Sequence, residues 1–170
     1  MAADAPPQAY LQRAAPIARD VMRRSGIPAS VMLAQSALES NFGRSELAQQ
    51  ANNYFGFRVG NAAWAATDPF WDGSTYGDGW RKYATVKDSF LDFARNFYRG
   101  QLYQAALELL PDPVAFLLAE APVYAPPAQN PDYAQHVLAI LSEYALTRYD
   151  LPAAQLALDP SIVPPAYRAA

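Results

Sequence analysis

The sequence has no cysteine and a single histidine, His136. Disulfides, thiolate metal sites and cysteine nucleophiles are therefore excluded, and one imidazole cannot build a His-rich metal cluster. No metal or cofactor is expected. Lack of cysteine is compatible with any compartment. Long apolar runs are also missing. Stretches such as Val114–Leu118 fall far short of the roughly 20 residues that a membrane span needs, so no transmembrane helix is expected. Nor is there an excess of positive charge: 13 basic and 16 acidic residues leave a formal charge of −3. Without a cationic field, DNA and RNA are not expected partners. Met1 to Tyr10 has neither a charged n-region nor an apolar h-region, so no signal peptide is visible there.

What is present suits one folded domain. Over half of the 170 residues are apolar (52%) and 17% are charged, the balance of a globular chain able to bury a core. A helical pattern runs from Gln8 to Arg24, with Pro16 as a possible kink, and Ser25-Gly26 stops it. Pro28 opens a second helix whose apolar stripe is Ile27, Val31, Ala34 and Leu38. It ends near Ser40–Gly43, where Asn41 and Gly43 suit left-handed backbone. A short helix capped by Ser45 follows. From 53 to 83 the chain is rich in Gly, Asp, Asn and aromatics, with turn dipeptides Asp72-Gly73 and Asp78-Gly79, and reads as an irregular β-hairpin lobe. Helices return over Lys87–Tyr98 and Leu102–Leu110. Asp112-Pro113 caps a further helix running toward Glu120, and Asn130-Pro131 is expected to cap the last, which reaches Tyr144. Residues 1–149 form the expected domain, and 150–170 an extended Pro-rich tail that lies on the domain or is disordered. No repeats are present, and a monomer is expected.

Glu39 stands out for its position. It follows Leu38 directly, so it lies about 100° around the helix from the apolar stripe, at the border of the core. Gln35, four residues earlier, shares its face. The helix C-terminus disfavours a negative charge, and partial burial acts in the same direction. Both hold a proton on the carboxyl, as a general acid near neutral pH requires. An arbitrary helical glutamate is usually just a surface group. Here Gly43 frees the backbone beyond it, and Asn52, Asn53, Tyr54 and Phe55 supply the amides and aromatic faces by which sugars are held.

The string AQSALESNFGRSELA at 34–48, followed by ANNYFGFR at 51–58, resembles the signature of glucosaminidases of the flagellar and autolysin type. That is glycoside hydrolase family 73, with its "AQ-x-ALES-x-(W/F)-G-x-S-x-LA" and "NN-x-FG-(I/V)-K" blocks. WRKYATVKDSF at 80–90 is similar to the family's "FR-x-Y-x-S-x-x-x-S". Tyr124-Ala125 with Asn130-Pro131-Asp132-Tyr133-Ala134 is similar to "YATDP-x-YA". The resemblance spans about Pro28 to Tyr144.

It implies a mainly α, lysozyme-like helical domain with a small β-hairpin lobe flanking a glycan groove. It also implies cleavage of the β-1,4 bond after N-acetylglucosamine in peptidoglycan strands, outside the cytoplasm. Glu39 matches the family's acid, and Tyr124 matches a tyrosine thought to position or stabilise the reacting sugar. Gln35, Asn53, Phe55, Tyr133 and Trp80 are the expected substrate contacts. Tyr133 also belongs to the apolar stripe of the last helix, which suits a core residue. Trp64 and Trp71 could stack on sugars or be structural; Arg58 and Arg81 could meet acidic substrate groups or be solvated. His136 could pair with Asp132 one helical turn earlier and has no expected catalytic role.

One feature of the family pattern is missing. Its members often carry a second carboxylate in the β-lobe, within a "T-x-E-x-x-x-G"-like stretch, yet no glutamate occurs between Glu46 and Glu108. Asp68, after Thr67, fits best; Asp72 and Asp78 precede glycines and read as turn formers. Carboxyls about 5 Å apart would suit a covalent path, and roughly 6.5–9.5 Å an inverting water. A third route uses the substrate's own N-acetyl oxygen and needs only Glu39 with a residue such as Tyr124. The absent glutamate favours that route or a distant aspartate. The competing readings are a muramidase or lytic transglycosylase, whose usual "GLMQ"-like block is absent, and a non-catalytic glycan-binding module of the same fold.

Overall fold

The computed structural model describes residues 6–60 and 67–168; Trp64 therefore lies outside the described residues. The elements are α1 (Pro6–Ser25), α2 (Ala29–Glu39), α3 (Glu46–Ala51), β1 (Thr75–Tyr76), β2 (Trp80–Arg81), α4 (Val86–Asn96), α5 (Gln104–Leu107), α6 (Pro113–Tyr124) and α7 (Tyr133–Glu143). Three short 3-10 turns follow, at Leu146–Tyr149, Ala153–Gln155 and Pro165–Tyr167. The fold is mainly helical with one small antiparallel ribbon. None of the described helices is long and apolar enough to cross a membrane.

Helix α2 is the axis of the domain. The sequence stripe suggested one buried face, but every residue from Ala29 to Ala37 is buried. Small residues make this possible: Ala and Ser let α1 and α7 pack against α2 from different sides. The buried hydroxyls are satisfied. Ser36 Oγ meets the Tyr10 hydroxyl at 2.5 Å and donates to the Leu33 carbonyl at 3.2 Å. Pro28 offers α2 no side-chain cap. Asp150 fills that role from the far end of the chain, accepting from Ser30 N at 2.8 Å and from Ser30 Oγ at 2.7 Å.

Of the two expectations for the tail, lying on the domain or being disordered, the described residues follow the first. Residues 150–168 pack along α1: Ala157 N donates to the Arg23 carbonyl (2.7 Å), Asp159 N donates to the Arg24 carbonyl (2.8 Å), and Arg24 pairs with Asp159 at 2.5 Å. Ile162 and Val163 are buried. Prolines stop this segment from forming regular elements without stopping it from burying side chains. Replacing Asp150 with Ala removes a helix cap, so it should cost about 1 kcal/mol and lower the melting temperature by roughly 2–4 °C, checked by thermal denaturation.

Other local signals are realised unevenly. Asp112 accepts from Val114 N and Ala115 N at 3.0 Å, with Pro113 in the first turn of α6. Thr85 and Asp88 form a capping box on α4. The expected cap at Asn130 is displaced: α7 begins at Tyr133, and the Asn130 carbonyl accepts Tyr133 N at 3.3 Å. The helix expected over Leu102–Leu110 contracts to α5.

The β-lobe is smaller than its sequence span. Thr75 pairs with Arg81 and Tyr76 with Trp80, and Arg58 bridges to Trp80. Buried side chains hold the lobe together instead. Phe55 stacks on Phe93 with ring centroids 4.0 Å apart, and Phe97 meets Phe116 edge-on at 5.0 Å. This aromatic seam joins the 53–57 loop to the helices.

Candidate active site

Three loops meet where α2 ends. Glu39 is its last residue, and Asn41, Phe42 and Gly43 then take left-handed backbone (φ 50°, 54° and 74°). Two non-glycine residues in that region store strain, offset here by Phe42 packing edge-on against Tyr10 (6.0 Å) and Tyr144 (5.7 Å). Gly43 is required by close approach as well as by φ, because a Cβ there would come within 3.2 Å of the Tyr10 and Tyr54 rings. This tight turn swings the chain away and leaves Glu39 facing open space.

That space is a cleft of about 500 Å³ with Glu39, Gly56, Tyr124 and Tyr133 in its wall. A second hollow of about 480 Å³ shares Gly56, Phe57 and Asn96 with it and adds Arg58 and Arg99, so the two form one trench. Gly56 marks the narrow point. A Cβ on Gly56 would stand 4.0 Å from Glu39 Oε2 and 3.9 Å from the Trp80 ring. Bare backbone here keeps the gap between Glu39 and the Trp80 ring open, although Trp80 itself lines neither hollow. Trp80 is only half-buried, with the Arg58 guanidinium 4.0 Å over its ring.

Glu39 is open to solvent at the surface, yet the trench walls crowd its carboxyl. Desolvation raises its pKa above the ordinary value of 4.5, while the Tyr133 hydroxyl opposes that shift by hydrogen bonding to it. Beneath it the side chains are buried. Gln35 is fully buried, and its Nε2 donates to Glu120 Oε1 at 2.8 Å and to the Tyr133 hydroxyl at 3.1 Å. Tyr133 stacks on Tyr124 (5.7 Å), whose hydroxyl donates to the Phe55 carbonyl at 2.9 Å. Glu39, Tyr124 and Tyr133 thus share one wall.

The other expected site residues lie elsewhere. Asp68 is a correction: its carboxylate is buried in an ion pair with Arg81 at 2.5 Å, and Oδ1 accepts from Phe70 N and Trp71 N. A carboxylate so engaged cannot reach a sugar. Asn53 is buried too, its amide tied to the Phe57 and Arg81 carbonyls at 2.9 Å and to Phe57 N at 3.1 Å. It shapes the loop and offers nothing to the trench. The Phe55 ring is core, and only its carbonyl supports the wall, through Tyr124. Gln35 supports the site from below without touching the cleft. Trp71 donates its indole N–H to the Ser74 carbonyl at 2.7 Å and takes Arg81 over its ring. Among the described residues no cluster of three or more His, Asp or Glu side chains could hold a metal.

Glu120 was missed. It is fully buried, with a pKa raised well above 4.5 by desolvation and by the nearby Glu39. A signal was available: Phe116, Leu117, Glu120, Ala121 and Tyr124 share one face of α6, so the lone carboxylate of an apolar helix lies in its core stripe.

The family model for Glucosaminidase, described as mannosyl-glycoprotein endo-beta-N-acetylglucosaminidase, matches residues 15–146. The chain belongs to the glucosaminidase family. Its glycoside hydrolase fold is shared with solved relatives. The catalytic domain of the autolysin Auto from Listeria monocytogenes superposes with a TM-score of 0.70 at 28% identity, over 88% of this chain and 90% of that one. Among curated glucosaminidase relatives, the exo-glucosaminidase LytG of Bacillus subtilis is 36% identical over 71% of this chain and 45% of its own length. A probable N-acetylmuramidase of Lactococcus lactis is 31% identical over 84% of this chain and 35% of its own. The chain spans less than half the length of these curated relatives. In this glucosaminidase-family chain the motif blocks fall on the end of α2 with the 51–58 loop, on β2 with the start of α4, and on the α6–α7 connection. The first and third of these line the trench, whereas the residues of the second line neither hollow.

Proposed function

We propose that the protein hydrolyses the β-1,4 bond after N-acetylglucosamine in peptidoglycan strands, outside the cytoplasm and as a monomer, with Glu39 as the general acid. The observation that carries this reading is that Glu39 is the sole carboxylate among the described residues lining the trench. It faces outward, and desolvation raises its pKa above the ordinary value, against the Tyr133 hydrogen bond. The β-lobe supplies no second glutamate, and residues 61–66 (NAAWAA) contain no acidic residue.

One carboxylate and a tyrosine favour the substrate-assisted route. Glu39 gives its proton to the glycosidic oxygen as the C1–O bond breaks. The carbonyl oxygen of the sugar's acetamido group attacks C1, forming a cyclic oxazolinium ion. Water then adds at C1 while the Glu39 carboxylate takes its proton, and the acetamide is restored. Tyr124 already donates its O–H to the Phe55 carbonyl, so it presents only lone pairs to the cleft. It can accept the acetamide N–H and so turn the acetamide oxygen toward C1.

The probable N-acetylmuramidases among the relatives favour a second reading, cleavage after N-acetylmuramic acid. Digesting peptidoglycan, reducing the products with borohydride and identifying the new ends separates the two. Reduced N-acetylglucosamine ends are expected, and retention of the anomeric configuration is read separately, by NMR of the fresh products before reduction. Reduced muramic acid ends would instead establish the second reading, and anhydro ends would identify a lytic transglycosylase.

A further inference from the structure

Glu120 does not line the trench, yet it sits directly beneath the acid. The groups acting on it come from several elements: Gln35 and Glu39 of α2, Tyr103 ahead of α5, Tyr124 of its own helix, and Tyr133 of α7. Its Oε1 accepts from Gln35 Nε2 at 2.8 Å. Two oxygens in this pair are buried with no partner, Glu120 Oε2 and Gln35 Oε1. An ionised carboxylate would leave both as orphan acceptors and put a second negative charge beside Glu39, an arrangement that protein interiors avoid. A single added proton removes the conflict. On Glu120 Oε2 it turns one orphan acceptor into a donor whose natural target is the other, the Gln35 amide oxygen.

We infer that Glu120 is a permanently protonated carboxylic acid, closed with Gln35 into a two-hydrogen-bond acid–amide pair, and that this pair is the positioning element that aims Tyr133 at Glu39. The Gln35 amide has two N–H groups. One is spent on Glu120, and the other occupies a lone pair of the Tyr133 oxygen at 3.1 Å. With that lone pair taken, the hydroxyl hydrogen of Tyr133 is directed to the Glu39 carboxyl, where it lowers the pKa that burial raises. The relay therefore does two things. It selects which Glu39 oxygen keeps the acidic proton for the trench, and it stabilises the carboxylate left after proton transfer. Neutral Glu120 accomplishes this without adding a like charge. Tight amide anchoring also explains why a glutamate at the core stripe of α6 is tolerated.

The inference rests on Glu39 being the acid, and its test has one arm that needs no activity. Infrared difference spectra of wild type against Glu120→Gln at pH 8 are expected to show the C=O stretch of an un-ionised carboxylic acid in wild type alone. Loss of carboxylate stretches in the variant, with no acid C=O stretch in wild type, overturns the proposal, even if the protein has no glycosidase activity. The second arm reads pH–rate profiles on peptidoglycan. Glu120→Ala is expected to lower kcat about 10- to 100-fold through lost alignment, with KM little changed and the alkaline limb moved upward because Glu39 loses its donor. Glu120→Gln, which replaces the acid O–H by an amide N–H, is expected to rescue both kcat and the limb relative to Glu120→Ala. If Glu120→Gln is as impaired as Glu120→Ala, or moves the alkaline limb below that of wild type as loss of a charge would, the proposal fails. A wild type inactive on every glycan would instead defeat the functional reading and leave the infrared result standing.

Discussion

Glu39→Gln is expected to lower hydrolysis by about 10²- to 10⁴-fold, the usual contribution of a positioned general acid. Glutamine keeps the shape and can still accept from Tyr133, but it has no acidic proton for the departing oxygen. Stability should hold, because Glu39 is solvent-facing and forms none of the ion pairs found among the described residues. The sign of the pH effect follows from its raised pKa. A carboxyl that binds its proton more tightly when folded favours the fold at low pH and loses that contribution as pH rises through the folded pKa. At neutral pH the variant should therefore melt at the wild-type temperature or slightly above it. The same raised pKa should place the alkaline limb of wild-type activity above the ordinary glutamate value of 4.5. Clearing of a peptidoglycan suspension, read beside a melting curve, checks both points. A folded Glu39→Gln protein with undiminished activity would remove Glu39 from the chemistry.

The second large effect concerns stability. Arg81→Leu is expected to destabilise the protein by about 3–5 kcal/mol, the cost of stripping a buried ion pair of one partner. Against a typical total of roughly 5–15 kcal/mol, that is enough to threaten folding. Arg81 is fully buried and pairs with Asp68 at 2.5 Å and with Asp92 at 2.7 Å. It also donates to the Arg58 carbonyl (3.0 Å) and the Val59 carbonyl (3.2 Å), so it fastens the β-lobe loops to α4. Without it, two carboxylates face each other in the core.

The deficit should depend on pH. Burial and the neighbouring Asp68 already push Asp92 up to about 7, against the pull of Arg81. The folded state therefore binds more protons than the unfolded one between pH 4 and 7, and stability falls as pH rises through that window. Losing the cation extends the window upward, so Arg81→Leu should fare better at pH 5 than at pH 8. Urea denaturation at the two pH values measures this. Asp68→Asn, which keeps the shape, should lose stability yet stay active while folded. A folded but inactive Asp68→Asn protein would revive a two-carboxylate mechanism.

Much of the site could be read along the chain. Glu39 at the end of a buried helix, the left-handed turn at Asn41 and Gly43, and the Asp112-Pro113 cap all depend on neighbours within about four residues. The Asn130-Pro131 signal was weaker: Tyr133 packs against Gln35 and Tyr124, and α7 starts two residues later than that signal indicates. Asp68 was misread because following a threonine says nothing about a cation thirteen positions away. Asn53 looked like a sugar ligand, and its amide is spent on backbone 28 residues distant. Glu120 was overlooked because the search for a second carboxylate was confined to the β-lobe.

By itself, the sequence determined the family resemblance, the mainly helical class, the exclusion of thiol chemistry, and the position of Glu39 at the close of α2. Those follow from composition, motif and short-range periodicity, all of which survive without knowing what packs on what. Only the tertiary structure decided that Asp68 pairs with Arg81, that residues 150–168 cap α2 and cover α1, and that Glu120 lies under Glu39. The physical reason is that the fate of a charge depends on its dielectric surroundings, and those are made by elements brought together from up to 135 residues apart, as Asp159 is with Arg24.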